Sequence, residues 1–153
     1  MVINYCGSSC FKIQSGKLSI ISDPLPRFKG DIVLLLKTEK SDWPPQPAYI
    51  YGPGEYEIAE VEIRGIPAKG KTSTYILAPE EIRLCFLGET GENLEPGVLD
   101  KIGDIDILFV PATTSAKVIK QLQPKIIIPF YKKPDELKDF LKEMDQKPAT
   151  EEK

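Results

Sequence analysis

Hydrophobic and polar positions along the chain form short strand-length runs first and helix-length stripes later. The earliest apolar runs are residues 2–6, 10–13 and 18–21, with tight turns between them. Three strands so close together in sequence predict an antiparallel meander. Residues 32–36 are apolar without interruption, which is typical of a strand covered on both faces and therefore central in its sheet.

The middle of the chain carries strand patterns interrupted by proline and glycine. Residues 37–47 are polar and then proline-rich, which predicts a surface loop. Segments 49–51 and 56–66 have strand character, and Pro53-Gly54 between them is a strong turn signal, so we predict that they form a hairpin. Two further strands are expected in residues 72–77 and 82–87.

Strands alternate with helices in the second half. Pro96, Ser115 and Pro134 are suited to the starts of three helices, and strands are predicted in residues 105–110 and 125–129. The third helix carries an apolar stripe at Leu137, Phe140, Leu141 and Met144. This order predicts one α/β (α+β) domain, residues 1–145, with two sheets face to face and helices outside, followed by a flexible polar tail, residues 146–153.

Composition narrows the class of protein. A chain of 153 residues with 41% apolar content can bury the core of one domain. The net charge of −3 is spread over interspersed acids and bases without a basic stripe, which argues against nucleic acid as a partner. Apolar runs are of strand length only, which argues against export or membrane insertion. The three cysteines do not predict a disulfide framework, so we expect a cytoplasmic protein.

The chain contains no histidine, and this fact bears most directly on function. Histidine is the commonest metal ligand and the usual general base near neutral pH, so the simplest catalytic mechanisms are removed. One loop nevertheless has the features of a ligand-binding or catalytic site. Gly88-Glu89-Thr90-Gly91 places a carboxylate at the end of a buried strand between two glycines, where α/β proteins often bind ligands.

Seven segments in order carry a resemblance to a known family. They are YCGSSCFKI, SDPLP, GDIVLLLKTEKSDW, GPGEYEIAEVEIRGI, IRLCFLGETGENL, GDIDILFVP and PKIIIPFYK. Together they resemble the small single-domain branch of the metallo-β-lactamase superfamily, whose members are zinc-dependent hydrolases. The resemblance implies a shortened four-layer αββα sandwich, with a metal site on loops at one edge of the two sheets.

The same resemblance assigns the positions where the family holds its metal. These vestigial positions are Ser8, Lys37, Glu39, Ser41, Asp42, Phe86, Glu89 and Tyr131. A zinc site needs about three protein ligands, mostly imidazole, carboxylate or thiolate. Lys37 would repel a dication, and Phe86 and Tyr131 would fill space that ligands or substrate need. We therefore expect no zinc cofactor and assign no catalytic residue, and we interpret the chain as an inactive pseudo-hydrolase that serves as a binding or scaffolding domain.

Two alternatives use the remaining charged residues. Glu39, Asp42, Glu89 and Asp23 could hold a Mg²⁺, Mn²⁺ or Ca²⁺ ion weakly, which would leave a residual metal-dependent hydrolase for a phosphate ester, a lactone or a similar substrate. In the other, the ammonium group of Lys37 replaces the charge of the metal by pairing with Glu39, Asp42 or Glu89. The sequence leaves both open, and it also allows these charged side chains simply to be solvated on a surface loop.

The cysteines and aromatic residues complete the candidates. Cys6, Cys10 and Cys85 lack a fourth partner for a thiolate metal site, and the resemblance places Cys10 and Cys85 on the core side of their strands as small buried side chains. The candidate contact residues for a protein or small-molecule partner are Trp43, Tyr49, Tyr51, Phe130 and Tyr131. An exposed sheet edge would permit a homo-oligomer.

Overall fold

A computed structural model describes residues 1–24, 30–36 and 49–144, with the backbone alone at Tyr49 and Tyr51. The predicted loop of residues 37–47 and the predicted tail lie outside these residues. The described strands are β1 (Val2–Gly7), β2 (Cys10–Ser15), β3 (Leu18–Ser22), β4 (Ile32–Leu35), β5 (Tyr49–Tyr51), β6 (Gly54–Ile58), β7 (Val61–Pro67), β8 (Ser73–Leu77), β9 (Leu84–Phe86), β10 (Ile107–Pro111) and β11 (Ile126–Phe130). The described helices are α1 (Pro96–Ile102), α2 (Ala116–Leu122) and α3 (Pro134–Glu143).

The first sheet has the strand order β1-β2-β3-β4-β5. Its first three strands pair antiparallel, which confirms the predicted meander, whereas β3, β4 and β5 are parallel. Every residue of β4 is buried. Ile32 and Leu34 belong to the core between the sheets, while Val33 and Leu35 pack on the other face, so the uninterrupted apolar run reflects a strand covered on both faces, as predicted.

The second sheet has the order β11-β10-β9-β8-β7-β6. Strands β9, β10 and β11 are parallel, and the other neighbours are antiparallel. Its inner face packs against the first sheet, and its outer face packs against all three described helices. The two-sheet sandwich expected from the sequence is therefore confirmed. None of the described helices is long and apolar enough to cross a membrane.

The predicted hairpin of residues 49–51 with 56–66 is wrong. Strand β5 adds to the first sheet beside β4, whereas β6 pairs with β7 in the second sheet. The chain therefore crosses between the sheets at Pro53, and the hairpin turns later, at Ala59 and Glu60. Both residues adopt left-handed backbone, with φ of 51° and 64°. Neither is glycine or asparagine, so the usual sequence signal for such a turn is missing.

A tyrosine at the centre of the sandwich joins the two sheets. The hydroxyl of Tyr75, on β8, donates to the carbonyl oxygen of Leu35 at 2.7 Å and accepts from the N–H of Gly52 at 2.9 Å. Both partners belong to the first-sheet side of the molecule. Burial raises the pKa of Tyr75 to about 12, because an ionised phenol would lose its hydration there.

The three helices begin where their sequence signals predicted. Pro96 and Pro134 occupy first-turn positions, and the hydroxyl of Ser115 accepts from the N–H of Val118 at 3.4 Å. Their apolar faces supply Ile102, Val118 and other side chains to the layer against the second sheet. The helices thus hold in place the sheet whose strand ends form the candidate site.

Candidate functional site

A cavity of about 270 Å³ opens at the edge of the sandwich where parallel strands end. Its lining comes from the β1–β2 loop, the segments after β3, β4, β9, β10 and β11, the start of β8 and the first turns of α3. The carboxyl ends of parallel strands are where open α/β sheets bind ligands, because loops from several strands converge there. This cavity is the candidate functional site.

The loop after β9 forms one wall of the cavity and carries Glu89. Its backbone pairs with the segment before β8, where the N–H of Lys69 donates to the carbonyl oxygen of Glu89 at 3.0 Å. The hydroxyl of Thr72 donates to the carbonyl oxygen of Lys69 at 2.6 Å and accepts from the N–H of Glu89 at 2.9 Å. The exposed carboxylate of Glu89 lies over Gly70, where a side chain would collide with it. The backbone at Glu89 is therefore fixed by its neighbours.

Gly88 is required in this loop by close packing. A Cβ at this position would lie 2.7 Å from the Cβ of Ala68 and 2.7 Å from Oγ1 of Thr72. The N–H of Gly88 donates to the hydroxyl of Thr74 at 2.9 Å, and this hydrogen bond is buried. The glycine that the sequence suggested for a close ligand approach instead allows two segments of the protein to approach each other.

Asp23 ties three segments of the first sheet together at the opposite wall. Its carboxylate accepts from the hydroxyl of Ser9 at 2.6 Å and from the N–H of Leu36 at 2.8 Å. Its own N–H donates to the carbonyl oxygen of Leu34 at 2.9 Å. Asp23 has a left-handed φ of 38°, which aspartate tolerates better than most residues. Its carboxylate thus serves to position the β1–β2 loop.

The aromatic side of the cavity consists of Phe130 and Tyr131 at the end of β11. Behind them, the ring of Phe11 lies 6.1 Å from that of Phe130, and Tyr5 lies 6.4 Å from Tyr131. These contacts join the last strand of the second sheet to the first strands of the chain. Of the five aromatic contact residues predicted, these two line the cavity; Trp43 and the side chains of Tyr49 and Tyr51 lie outside the described residues.

The predicted vestigial metal positions have different places in the fold. Ser8, Glu89 and Tyr131 all line the cavity. Phe86 does not: it is fully buried between the sheets, stacked on Phe109 at a centroid distance of 4.3 Å, so it occupies core rather than ligand space. Lys37, Glu39, Ser41 and Asp42 lie outside the described residues, and the proposed ion pair of Lys37 stays a prediction.

Several residues of the site were missed or underweighted by sequence reasoning. Thr72 carries no signal in the sequence, Ser9 is visible there only as a hydroxyl without a histidine base, and Asp23 was expected only as a cation ligand. Asp23-Pro24 at the end of a strand was the available signal, since an acidic residue there can accept hydrogen bonds from neighbouring loops. The partners of these side chains lie far away in the chain, so their role follows only from the tertiary structure.

The prediction of cysteines without a disulfide is corrected. Cys6 and Cys10 form a disulfide across the β1–β2 loop, with their Cα atoms 5.2 Å apart. The tight turn brings the two residues within bonding reach, and an odd total of cysteines does not exclude one local pair. Cys85 is a buried free thiol, as expected. The cysteine argument for a cytoplasmic protein no longer holds, and that location stays a prediction.

The described residues do not fit a zinc ion. Zinc sites use about three or four ligands drawn from imidazole, thiolate and carboxylate, and the chain has no histidine. Among the residues that the structure describes, no three Cys, Asp or Glu side chains are grouped to hold a metal. Both carboxylate oxygens of Asp23 accept hydrogen bonds from the protein. Among the described residues, Glu89 and Glu136 are the other acidic side chains at the cavity.

A larger depression of about 770 Å³ lies away from these strand ends, beside the β6–β7 hairpin. It is open, and its lining includes the acidic residues Glu55, Glu57 and Glu62 and the basic residues Arg64 and Lys101. The ion pair between Arg64 and Glu55 spans 3.8 Å and is exposed to solvent. Such a surface is typical of a solvated sheet face, and it lacks the converging loops of the smaller cavity.

Comparisons with known proteins agree with this architecture. The family profile described as "Beta-lactamase superfamily domain" matches residues 2–131. No curated protein matches the chain. A solved structure of a candidate zinc-dependent hydrolase of the metallo-β-lactamase superfamily from Thermotoga maritima is 27% identical, with a TM-score of 0.72, and the match covers 92% of this chain and 84% of that one.

Two further solved structures show the same fold at lower identity. A metallo hydrolase from the archaeon Ignicoccus hospitalis is 15% identical, with a TM-score of 0.63 and coverage of 94% of this chain and 89% of that one. A metallo-β-lactamase fold protein from Bacillus subtilis is 10% identical, with a TM-score of 0.61 and coverage of 92% and 87%.

Proposed function

The chain belongs to the β-lactamase superfamily, and we propose that it is a member that has lost the zinc site and acts as a binding domain rather than a hydrolase. The cavity at the strand ends is its ligand site. The alternative is a residual hydrolase that uses a hard cation held by carboxylates.

The side chains at the family's metal-ligand positions support binding rather than hydrolysis. Ser8 stands where the resemblance places a histidine, Tyr131 stands at another ligand position, and Glu89 is the one carboxylate among the three. A neutral hydroxyl and a phenol are poor zinc ligands, so these three family positions supply one suitable ligand, Glu89, where a zinc site needs about three. The residues present therefore support binding better than metal-assisted hydrolysis.

The walls of the cavity indicate what it would bind. Leu36, Leu87 and Phe130 are apolar residues of the lining, while Ser8 and Thr113 offer hydroxyl groups. Small-molecule sites combine an apolar lining with a few polar groups that fix orientation, and the volume of about 270 Å³ is near the lower end of such sites. A small ligand with both apolar and hydrogen-bonding groups fits this lining.

The alternative is supported by the presence of Asp23, Glu89 and Glu136 at one cavity, although these three carboxylates are not grouped as metal ligands in the described part of the chain. Carboxylates suit Mg²⁺, Mn²⁺ and Ca²⁺, which take six or more oxygen ligands. Elemental analysis of protein purified without chelator separates the two functions. The binding domain is expected to carry no stoichiometric metal and to hydrolyse neither phosphate esters nor lactones above the rate of a blank.

Matched variants make this test specific. Glu89→Gln removes a carboxylate at the cavity, and Glu92→Gln makes the same change at an exposed position outside it. A stoichiometric metal that is lost in Glu89→Gln but kept in Glu92→Gln would overturn the binding-domain proposal and establish the cation site.

Ligand binding is tested by thermal shift with a collection of small molecules. Thr113→Trp adds a ring at an exposed position of the cavity lining, whereas Lys117→Trp adds the same ring on the exposed face of α2. Ligands of the cavity should stabilise the wild type and Lys117→Trp but not Thr113→Trp. Equal stabilisation of both variants would place the ligand elsewhere and contradict the proposed site.

A further inference from the structure

The β1–β2 loop connects a disulfide to the cavity. Cys6 and Cys10 form the disulfide, and the residues between them include Ser8 and Ser9, which line the cavity. Cys10 packs with Ile21 in the small apolar cluster on the outer face of the first sheet. The disulfide and the cavity-lining side chains therefore share one short loop.

The backbone of this loop needs restraint. Gly7 and Ser8 have left-handed φ angles of 110° and 50°, and the second is unfavourable for a residue with a side chain. The register of β1 with β2 also shifts between Tyr5 and Gly7, where the ladder is interrupted. The loop conformation is thus one that the surrounding structure must hold.

The restraints on the two halves of the loop differ. Ser9 is held by hydrogen bonds, since its hydroxyl donates to Asp23 at 2.6 Å and its carbonyl oxygen accepts from the hydroxyl of Ser22 at 2.7 Å. The half that begins at Cys6 is joined to β2 covalently, through the disulfide. Breaking that bond leaves Gly7 and Ser8 in an unfavourable conformation with less to maintain it.

We propose that the Cys6–Cys10 disulfide is a redox-sensitive clamp that orders the Gly7–Ser9 loop and thereby controls the shape of the cavity. As a regulation of ligand binding, the clamp rests on the proposed function of the cavity; as a control of loop order, it does not. A dithiol reduces the Cys6–Cys10 disulfide, and a small-molecule disulfide reoxidises the two cysteines.

Reduction of the disulfide takes two successive thiol–disulfide exchanges. A thiolate of the dithiol attacks Sγ of Cys6, the Cys6–Cys10 bond breaks, and Cys10 leaves as a thiolate that takes up a proton. The second sulfur of the dithiol then attacks, as a thiolate, the dithiol sulfur that is bonded to Cys6. Cys6 is released as a thiol, and the dithiol leaves as a disulfide. Cys6 is the sulfur attacked, because it is half-buried whereas Cys10 is 1% exposed.

The third cysteine does not compete in this exchange. Cys85 is fully buried between the second sheet and the helices. Burial raises the pKa of its thiol to about 12, so the reactive thiolate is scarce. The redox chemistry of the folded protein is therefore confined to the pair at the loop.

Amide hydrogen exchange of the full chain, oxidised and reduced with dithiothreitol and without ligand, tests the clamp. Reduction should raise exchange in the Gly7–Ser9 loop by more than about tenfold while leaving the Glu89 loop unchanged. Reoxidation with oxidised glutathione should restore the protection. Exchange in the Gly7–Ser9 loop that differs by less than about twofold between the two states would overturn the clamp.

Two variants control for effects of the reductant that do not involve the disulfide. Cys6→Ser combined with Cys10→Ser should show the fast loop exchange without any reductant, and circular dichroism with urea unfolding establishes that it is folded. Ser9→Ala keeps the disulfide and should remain redox-responsive. Because these measurements need no ligand, they decide the clamp even if the elemental analysis overturns the proposed function.

Discussion

Replacement of Thr72 by valine tests whether one hydroxyl holds the loop after β9. This loop carries Glu89 and forms one wall of the cavity, called here the Glu89 wall. The hydroxyl donates to Lys69 and accepts from the N–H of Glu89, and the residue is only 8% exposed. Valine has nearly the same shape but no oxygen. The variant therefore removes two hydrogen bonds without opening a cavity.

The magnitude follows from those two bonds. Each hydrogen bond between neutral groups contributes about 1 kcal/mol net, and a part-buried N–H left without a partner adds to the loss. Valine recovers a few tenths of a kcal/mol through its strand preference, so we expect the free energy of unfolding to fall by about 2 kcal/mol. For a chain of this length, that corresponds to a decrease in the melting temperature of about 4–8 °C.

Urea unfolding gives the global effect, and amide exchange gives the local one. The N–H of Glu89 should exchange faster by more than the global destabilisation explains, because its acceptor is gone. Thr113→Val is the matched control, since Thr113 lines the same cavity but is exposed. It should change the unfolding free energy by less than about 0.5 kcal/mol.

Two results would refute the reasoning. If Thr72→Val and Thr113→Val have the same small effect on stability, the hydroxyl of Thr72 does not hold the loop. If stability falls but the exchange of the Glu89 amide follows the global value, the loss lies in the core and the Glu89 wall is fixed by other contacts.

Packing at Gly88, burial of Tyr75 and Cys85, and the cap of α2 each determine an expected change in stability. Gly88→Ala should lower the free energy of unfolding by about 1–3 kcal/mol in urea, because the new Cβ would lie 2.7 Å from that of Ala68; an unchanged midpoint would contradict this packing. Burial raises the pKa values of Tyr75 and Cys85 from 10.0 and 9.0 to about 12, so the folded state holds more protons than the unfolded state between about pH 9 and 12. Stability should therefore be fully present below pH 9 and fall as the pH rises to 12, and urea midpoints that stay level over this range would exclude the effect. Ser115→Ala should cost about 1 kcal/mol by removing the cap of α2, whereas Ser115→Asp should retain most of it in the same assay.

Local signals were sufficient for most of the secondary structure. Uninterrupted apolar runs marked the buried strands, and Pro96 and Ser115 marked helix starts, because these signals act within a few residues. The turn at Ala59 and Glu60 was not predicted, because its residues adopt a left-handed backbone conformation without the glycine that usually permits it. Partner choice escaped as well, since β5 joins a different sheet from β6 through contacts that the local pattern does not encode.

The candidate site was predicted in part. Glu89 was found because a strand that ends in a glycine-flanked carboxylate is visible in sequence, and it does line the cavity. Phe86, two residues before Gly88, was placed at the same site by resemblance, yet side chains alternate along β9. Phe86 therefore faces the core between the sheets, while Cys85 faces the helices.

The sequence by itself determined the chemical repertoire of this protein. A chain without histidine cannot offer an imidazole to a metal or use one as a base, whatever its fold. Only the tertiary structure decided which side chains meet. Ser9 and Asp23 are 14 residues apart, yet they form a hydrogen bond at the cavity. Tyr5 and Tyr131 are 126 residues apart and lie in contact beside it. Such long-range pairs depend on how the two sheets pack, because burial of their shared apolar faces sets the positions of every loop at the edge.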